Sequence, residues 1–269
     1  LGIVTFEPHP RAFFAPNAPA FRLMDADTRA SRLEKLGVDV LFELPFDAAL
    51  SSMSAAAFFT DVLLDGLNLS HVVVGADFRF GKGRDGDAAT LEKLGRAAGM
   101  GVTIAPLVAE AGAEVSSTAI RQALSDGRID DATRMLGHWH RIEGRVEHGD
   151  KRGRDLGFPT ANIPLNALHL PRFGGYAVLV EVKDGPHRGQ YHGAASLGEK
   201  PTFGENRPNL EVYVLDFSGD LYGARLSVAL VEFQRPELKF HDIDALIEQM
   251  NADVAQSREV LAAKTQAAK

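Results

Sequence analysis

Leu136-Gly137-His138-Trp139-His140-Arg141-Ile142-Glu143-Gly144-Arg145 is the stretch at which the chain changes its period. Downstream, apolar residues favour every second position, and Gly, Pro, Asp and Asn punctuate the runs. Arg141–Glu147, Tyr176–Val182, Gln190–Ser196, Leu210–Phe217 and Leu226–Phe233 read as strands. Several short strands at this spacing predict a small antiparallel β-barrel. A helix from Asp242 to about Ala263 is expected to close the chain and pack on it, leaving a disordered polar tail.

Upstream of the break, short apolar runs alternate with amphipathic stretches, the pattern of a parallel sheet covered by helices. Gly2–Phe6, Val38–Leu44, His71–Val74 and Val102–Leu107 read as strands. Asp25–Leu36, Ser54–Leu64 and Asp87–Ala98 read as helices, each opening near Asp or Ser and stopping at or near Gly, as cap chemistry requires. The expected organisation is an α/β domain over residues 1–136 and a β-barrel domain with its helix over 137–269.

Composition narrows the functional classes. The 269 residues are 45% hydrophobic, enough for two cores. A net charge of −7, with 29 basic and 36 acidic residues mixed along the chain, shows no basic tract for nucleic acid. Without cysteine there is no disulfide framework, thiolate metal site or Cys nucleophile. No apolar run approaches the roughly 18 residues of a membrane helix, and the sequence opens on no basic-then-apolar leader, so a cytoplasmic protein is expected.

The densest cluster of chemically useful residues is Gly149-Asp150-Lys151-Arg152-Gly153-Arg154-Asp155-Leu156-Gly157-Phe158-Pro159-Thr160-Ala161-Asn162. Gly149, Gly153 and Gly157 allow the backbone to bend close to a ligand, and the cations suit phosphate oxygens. Pro159 fixes φ just before Thr160, whose hydroxyl, with the Asn162 carbonyl, suits a hard cation such as Mg²⁺ beside nucleotide phosphates. Composition alone leaves a solvated hairpin loop with a Pro turn as an equal reading. In Leu210–Phe217, strand alternation puts Glu211 with Tyr213, Leu215 and Phe217, an apolar or aromatic row in which desolvation would raise a carboxyl pKa toward that of a general base. An edge-strand Glu reaching solvent is the plainer alternative.

Gly144-Arg145-Val146-Glu147-His148-Gly149, Gly157-Phe158-Pro159-Thr160-Ala161-Asn162, Pro201-Thr202-Phe203-Gly204 and Leu210-Glu211-Val212 resemble the riboflavin kinase family in order and spacing, as do Asp216-Phe217 and Gly219–Gly223. The resemblance implies that Gly149, Arg152, Gly157, Pro159, Thr160 and Asn162 bind ATP and its phosphates. It further implies that Thr160 and Asn162 contact Mg²⁺ and that Glu211 is the base for the ribityl hydroxyl. Thr5–Arg11, Val74–Gly81 and Ser116–Arg121 resemble the FMN adenylyltransferase module of bifunctional bacterial riboflavin kinase/FAD synthetases. That implies a Rossmann-like nucleotidyltransferase fold with His9, Pro10, Asp77, Phe78, Ser117, Thr118 and Arg121 at its nucleotide and flavin site. Independently of the resemblance, Ser116-Ser117-Thr118 is a cap cluster opening a helix, with Arg121 one turn inside, and such an end attracts anions. The module's Gly-x-Phe-Asp-Gly-x-His-x-Gly-His segment is not among these residues, so the expected output is FMN with little FAD. The implied ligands are ATP, riboflavin, FMN and Mg²⁺, on a monomer or weak homo-oligomer.

Two other readings remain to be weighed. Gly81-Lys82-Gly83-Arg84-Asp85-Gly86 matches the dinucleotide fingerprint and would make an NAD- or FAD-dependent oxidoreductase. However, the fingerprint should leave its strand directly, and Asp77–Phe80 intervenes. A non-catalytic flavin-binding protein would keep an apolar pocket without needing Glu211, Thr160 and Asn162 together. His71, His169 and His187 read as surface or packing residues, since none forms a pair at metal-binding helix spacing, and Trp139 as a packing residue.

Overall fold

The computed structural model describes residues 1–110, 113–149, 156–165, 168–202 and 205–266. The chain folds as two compact units, Leu1–Ala18 with Ala30–Val115, and Pro19–Arg29 with Ser116–Lys269. Residues 19–29 and 116–136, read from sequence with the α/β half, pack with the barrel.

In the first unit, β1 (Gly2–Glu7) is followed by α1 (Pro10–Phe14), by α2 (Ala26–Lys35), whose residues 26–29 belong to the second unit, and by β2 (Val40–Pro45). After α3 (Ala48–Ser52) comes α4 (Ala55–Ala57), which continues into a π-helical stretch over Phe58–Leu64. Then follow β3 (His71–Gly75), the short strands β4 (Arg79–Phe80) and β5 (Gly86–Asp87), α5 (Ala88–Ala98) and β6 (Gly101–Ala105). The expected cap chemistry is present: Asp25, Ser54 and Asp87 accept backbone N–H groups of Thr28, Ala57 and Thr90, and Gly99 ends α5 in the left-handed region.

Strands β1 and β2 pair in parallel, as do β3 and β6, but among the described residues they form two separate two-stranded sheets, where sequence suggested one. Ala55, Phe58, Phe59, Leu63, Phe80, Leu91 and Met100 form the core beneath them. Gly81–Gly86 links the antiparallel strands β4 and β5, with Gly81 and Gly83 at positive φ and a 3₁₀ turn over Lys82–Arg84. The three glycines therefore serve a hairpin, and the strand-to-helix turn required of a dinucleotide fingerprint is not formed there.

A short hairpin of β7 (Ala109–Glu110) and β8 (Ala113–Glu114) ends the first unit, and α6 (Ser117–Asp126) and α7 (Ile129–Leu136) belong to the second. The barrel follows as β9 (Arg141–Arg145), β10 (Thr160–Pro164), β11 (Gly174–Val182), β12 (Gly189–Thr202), β13 (Glu205–Val214) and β14 (Arg225–Pro236). Its antiparallel order is β10-β13-β12-β11-β14-β9. The barrel nearly closes where the Glu147 N–H donates to the Asn162 carbonyl at 2.9 Å.

Strand β11 is buried along almost its whole length because both its faces are covered. Tyr176, Val178, Val180 and Val182 fill the interior, while Ala177 faces outward onto Leu261 of α8 (Ile243–Gln266). Helix α8 extends past Ala263 to Gln266, where Lys264 pairs with Asp130 at 2.6 Å and Glu232 at 3.3 Å, so the disordered tail expected from sequence does not begin at Ala263; residues 267–269 lie outside the described residues. Arg235 clamps the same helix through two bonds to the Asp253 carboxylate, at 2.8 and 2.6 Å.

His140 sits at the start of the barrel, fully buried, with no partner for Nδ1 among the described residues. Burial first, and then the neighbouring His138 and His169 rings, lower its pKa to about 4. An unfolded histidine titrates near 6.5, so below that pH the unfolded chain takes the proton first and the fold loses stability. By pH 5 the loss is about 2 kcal/mol. Urea unfolding at pH 7 and pH 5 is expected to show it in the wild type, and the difference should shrink in His140→Leu.

Candidate active site

The turn at Gly157, with φ +86°, brings Phe158 back so that its ring lies edge-on to Tyr213 at 5.3 Å. The chain then enters β10, so that Thr160 and Asn162 lie on a strand and not in the turn expected from Pro159. Strands β10 and β13 pair with Thr160 opposite Tyr213, Ala161 opposite Val212, Asn162 opposite Glu211 and Ile163 opposite Leu210. Because directly opposed residues share a face, Ala161, Ile163, Leu210 and Val212 enter the core, while Thr160, Asn162 and Glu211 meet on the other face.

The Thr160 hydroxyl lies 3.4 Å from Glu211 Oε2 and donates to it. Asn162 Nδ2 donates to the Thr160 carbonyl at 3.2 Å, and Asn162 Oδ1 accepts from Asn209 Nδ2 at 3.0 Å. Gly149 covers this amide so closely that a Cβ on it would sit 2.6–2.7 Å from the Asn162 side-chain atoms. Glycine is required there by close approach, which is a sharper reason than loop flexibility.

The row containing Glu211 differs from the expected apolar one. Strand β13 ends at Val214, and Asp216 takes φ +55°, so Leu215 and Phe217 leave the face and Leu215 is buried in the core. Glu211 instead shares its surroundings with Thr160, Asn162 and Tyr213, a polar set. Arg152 and its neighbours 150–155 lie outside the described residues, as do Phe203 and Gly204. Pro159 is exposed at the mouth of β10.

Among the residues assigned to the other module, His9 and Pro10 follow the C-terminal end of β1, and Asp77 and Phe78 follow that of β3. These are the strand ends at which open α/β sheets bind ligands. His9 Nδ1 caps α1 by accepting the Arg11 N–H at 3.1 Å. Phe78 stacks on Phe80 at 5.4 Å, and tilted rings continue from Phe80 to Phe58 and on to Phe6. Ser117, Thr118 and Arg121 belong to the second unit. Ser116 caps α6 through Ala119 N–H at 3.2 Å, leaving Ser117 and Thr118 exposed in the first turn. The Arg121 guanidinium is held by the Phe21 carbonyl at 3.3 Å, the Phe21 ring and Thr118 Oγ1 at 3.4 Å.

The chain thus joins an antiparallel barrel, carrying a carboxylate beside two neutral oxygen-bearing side chains, to an α/β unit. Residues 136–261 match the riboflavin kinase family and residues 1–119 the FAD synthetase family. A bifunctional riboflavin kinase/FMN adenylyltransferase of Pseudomonas fluorescens is 42% identical, over 97% of this chain and 82% of that protein. One from Bacillus subtilis is 36% identical over 94% of this chain and 80% of its own. The chain belongs to the bifunctional riboflavin kinase/FMN adenylyltransferase family.

A solved Streptococcus pneumoniae structure described as a macrolide-efflux protein superposes with a TM-score of 0.82 at 32% identity, covering 96% of this chain and 83% of that one. Among the described residues here, no helix is long and apolar enough to cross a membrane. Sequence reasoning did not single out Asn209, which lies just before the strand read over Leu210–Phe217 and meets Asn162 only through the fold.

Proposed function

We propose that the chain phosphorylates riboflavin to FMN with Mg-ATP on its barrel and adenylylates FMN to FAD through its α/β module. The observation that carries the kinase reading is the meeting of Thr160, Asn162 and Glu211 on one face of β10 and β13. In this reading Glu211 accepts the proton of the ribityl 5′-hydroxyl as that oxygen bonds to the γ-phosphorus, the bond from the γ-phosphorus to the β–γ bridging oxygen breaks, and ADP leaves with that oxygen. Thr160 and Asn162 would hold the magnesium of Mg-ATP, and their all-oxygen donor set suits a hard cation. When bound, that ion supplies charge neutralisation for the transferring phosphoryl. Gly149, Arg152, Gly157 and Pro159 take the nucleotide. Adenylyl transfer falls to His9, Pro10, Asp77, Phe78, Ser117, Thr118 and Arg121.

The functional boundary we infer is Leu136/Gly137, supported by Gly137 ending α7 in the left-handed region. The setting we infer is the cytoplasm, with the chain a monomer or weak homo-oligomer acting on free small molecules.

Incubating the purified protein with riboflavin and Mg-ATP, and separating the flavins by chromatography, tests the assignment; FMN is the expected product and unchanged riboflavin would reject it. Two further expectations follow from the geometry. Among the described residues no group of three or more His, Asp or Glu side chains could hold a metal ion. Calorimetric titration should therefore find Mg²⁺ binding weak in the nucleotide-free protein and much stronger with ADP present, and tight binding without nucleotide would count against the site. Gly149→Ala drives a methyl against the Asn162 amide, and a misplacement of about 1 Å at such a site costs roughly 10²-fold in turnover. Unimpaired phosphorylation by that variant would contradict the close approach.

A further inference from the structure

Asn209 lies on β13 two residues before Glu211, opposite Pro164, and so on the face that carries Glu211 and Asn162. Its Nδ2 donates to Asn162 Oδ1 at 3.0 Å, while Asn162 Nδ2 donates to the Thr160 carbonyl at 3.2 Å. Together the two bonds give the Asn162 amide one orientation. Turning it over would set its NH₂ against the NH₂ of Asn209 and its oxygen against the Thr160 carbonyl, losing both bonds at once. Only the oxygen of an amide can ligate a hard cation, so this orientation decides whether Asn162 is a ligand at all. A carbonyl oxygen has two lone pairs, so accepting from Asn209 does not by itself bar Oδ1 from ligating a cation.

The second amide carries an independent observation. Asn209 Oδ1 is sealed from solvent and has no donor among the described residues. Leaving a buried acceptor unmatched is costly, and reversing the Asn209 amide would face oxygen to oxygen across the pair. The fold therefore keeps an acceptor beside the Asn162 amide, suited to a donor that arrives with a ligand. Magnesium keeps several of its waters when it binds, and such a water is a donor of that kind.

We infer that Asn209 is a positioning residue for phosphoryl transfer: it fixes the Asn162 oxygen for the cation of Mg-ATP and accepts a hydrogen from that cation's hydration shell. This rests on the reading of Thr160 and Asn162 as the magnesium contacts. Partners that orient a metal ligand are worth about 10- to 100-fold in metal affinity or activity. An Asn209→Leu protein, close in size and without donor or acceptor, should need about tenfold more Mg²⁺ to reach half-saturation in calorimetry with ADP. Binding of ADP without metal should stay unchanged, and in steady-state assays the Mg²⁺ requirement should rise while turnover at saturating Mg²⁺ falls little.

Comparison with Asn162→Ala and the double variant separates the outcomes. Because Asn209 acts on the hydration shell as well as through Asn162, the losses should be less than additive: the double variant should bind Mg-ADP only slightly more weakly than Asn162→Ala alone, and fully additive losses would overturn the positioning role. Weakened binding in Asn162→Ala with normal binding in Asn209→Leu overturns the positioning role and leaves the site reading standing. Normal Mg-ADP binding in Asn162→Ala overturns the site reading itself. A general lesion in packing would weaken metal-free ADP binding as well, and that result also overturns the role. Should the leucine variant fold poorly, Asn209→Ala removes the same donor and acceptor and is read in the same way.

Discussion

Glu211→Gln is expected to lower the turnover of riboflavin phosphorylation by about 10²- to 10⁴-fold, the usual contribution of a general base. The substitution keeps the size and shape of the side chain, and a Gln can still accept from Thr160 through its amide oxygen, as Glu211 now accepts at 3.4 Å. What it cannot do is take the proton of the attacking hydroxyl. Because Thr160 and Asn162 stay on β10, Mg-ADP affinity should change little, so the loss should fall on kcat and not on nucleotide binding. Rates measured with saturating riboflavin and Mg-ATP, together with Mg-ADP calorimetry on the same preparation, read the two separately. Near-normal turnover would remove Glu211 from the role of base.

The largest expected loss of stability lies away from the site. Glu143, with a side chain only 5% exposed, is held by Lys183 at 3.2 Å and Arg225 at 3.3 Å between β9, β14 and the end of β11. Arg225 also reaches Asp27 at 3.3 Å, tying segment 19–29 to the barrel. Removing one partner from a buried ion group leaves charge that water cannot reach, at a typical cost of 3–5 kcal/mol. Lys183→Met should therefore destabilise the barrel by about 3 kcal/mol, the low end applying because Arg225 remains beside the carboxylate. Breaking the solvent-exposed Arg96–Glu92 pair, also at 3.3 Å, should cost about 0.5 kcal/mol or less. Denaturant unfolding of both variants makes the comparison, and equal losses would show that burial does not set the difference.

The barrel was legible because most of its strands alternate, and the α/β half because its helices carry their own caps at Asp25, Ser54 and Asp87. The β10 strand was not, since Pro159 and Pro164 bracket it and leave only four alternating residues between them, so it read as a turn. On β13 both faces carry apolar residues; periodicity could not tell that Leu210 and Val212 enter the core while Glu211 looks the other way. Thr160, Asn162 and Glu211 were readable as separate motifs, but their meeting depends on a register between segments some fifty residues apart. No local pattern encodes that register, nor the Asn209 bond. Segment 19–29 joins the barrel through equally distant contacts, among them the bridge from Arg22 to Leu168.

Following the fate of the ATP phosphates tests the kinase assignment most directly. With ATP labelled at the γ-phosphate and unlabelled riboflavin, the account predicts labelled FMN from the wild-type chain and a rate lower by about 10²-fold or more from Glu211→Gln. A wild-type chain that binds Mg-ATP and riboflavin yet transfers no γ-label to the flavin, or a Glu211→Gln chain that transfers it at the wild-type rate, would contradict it.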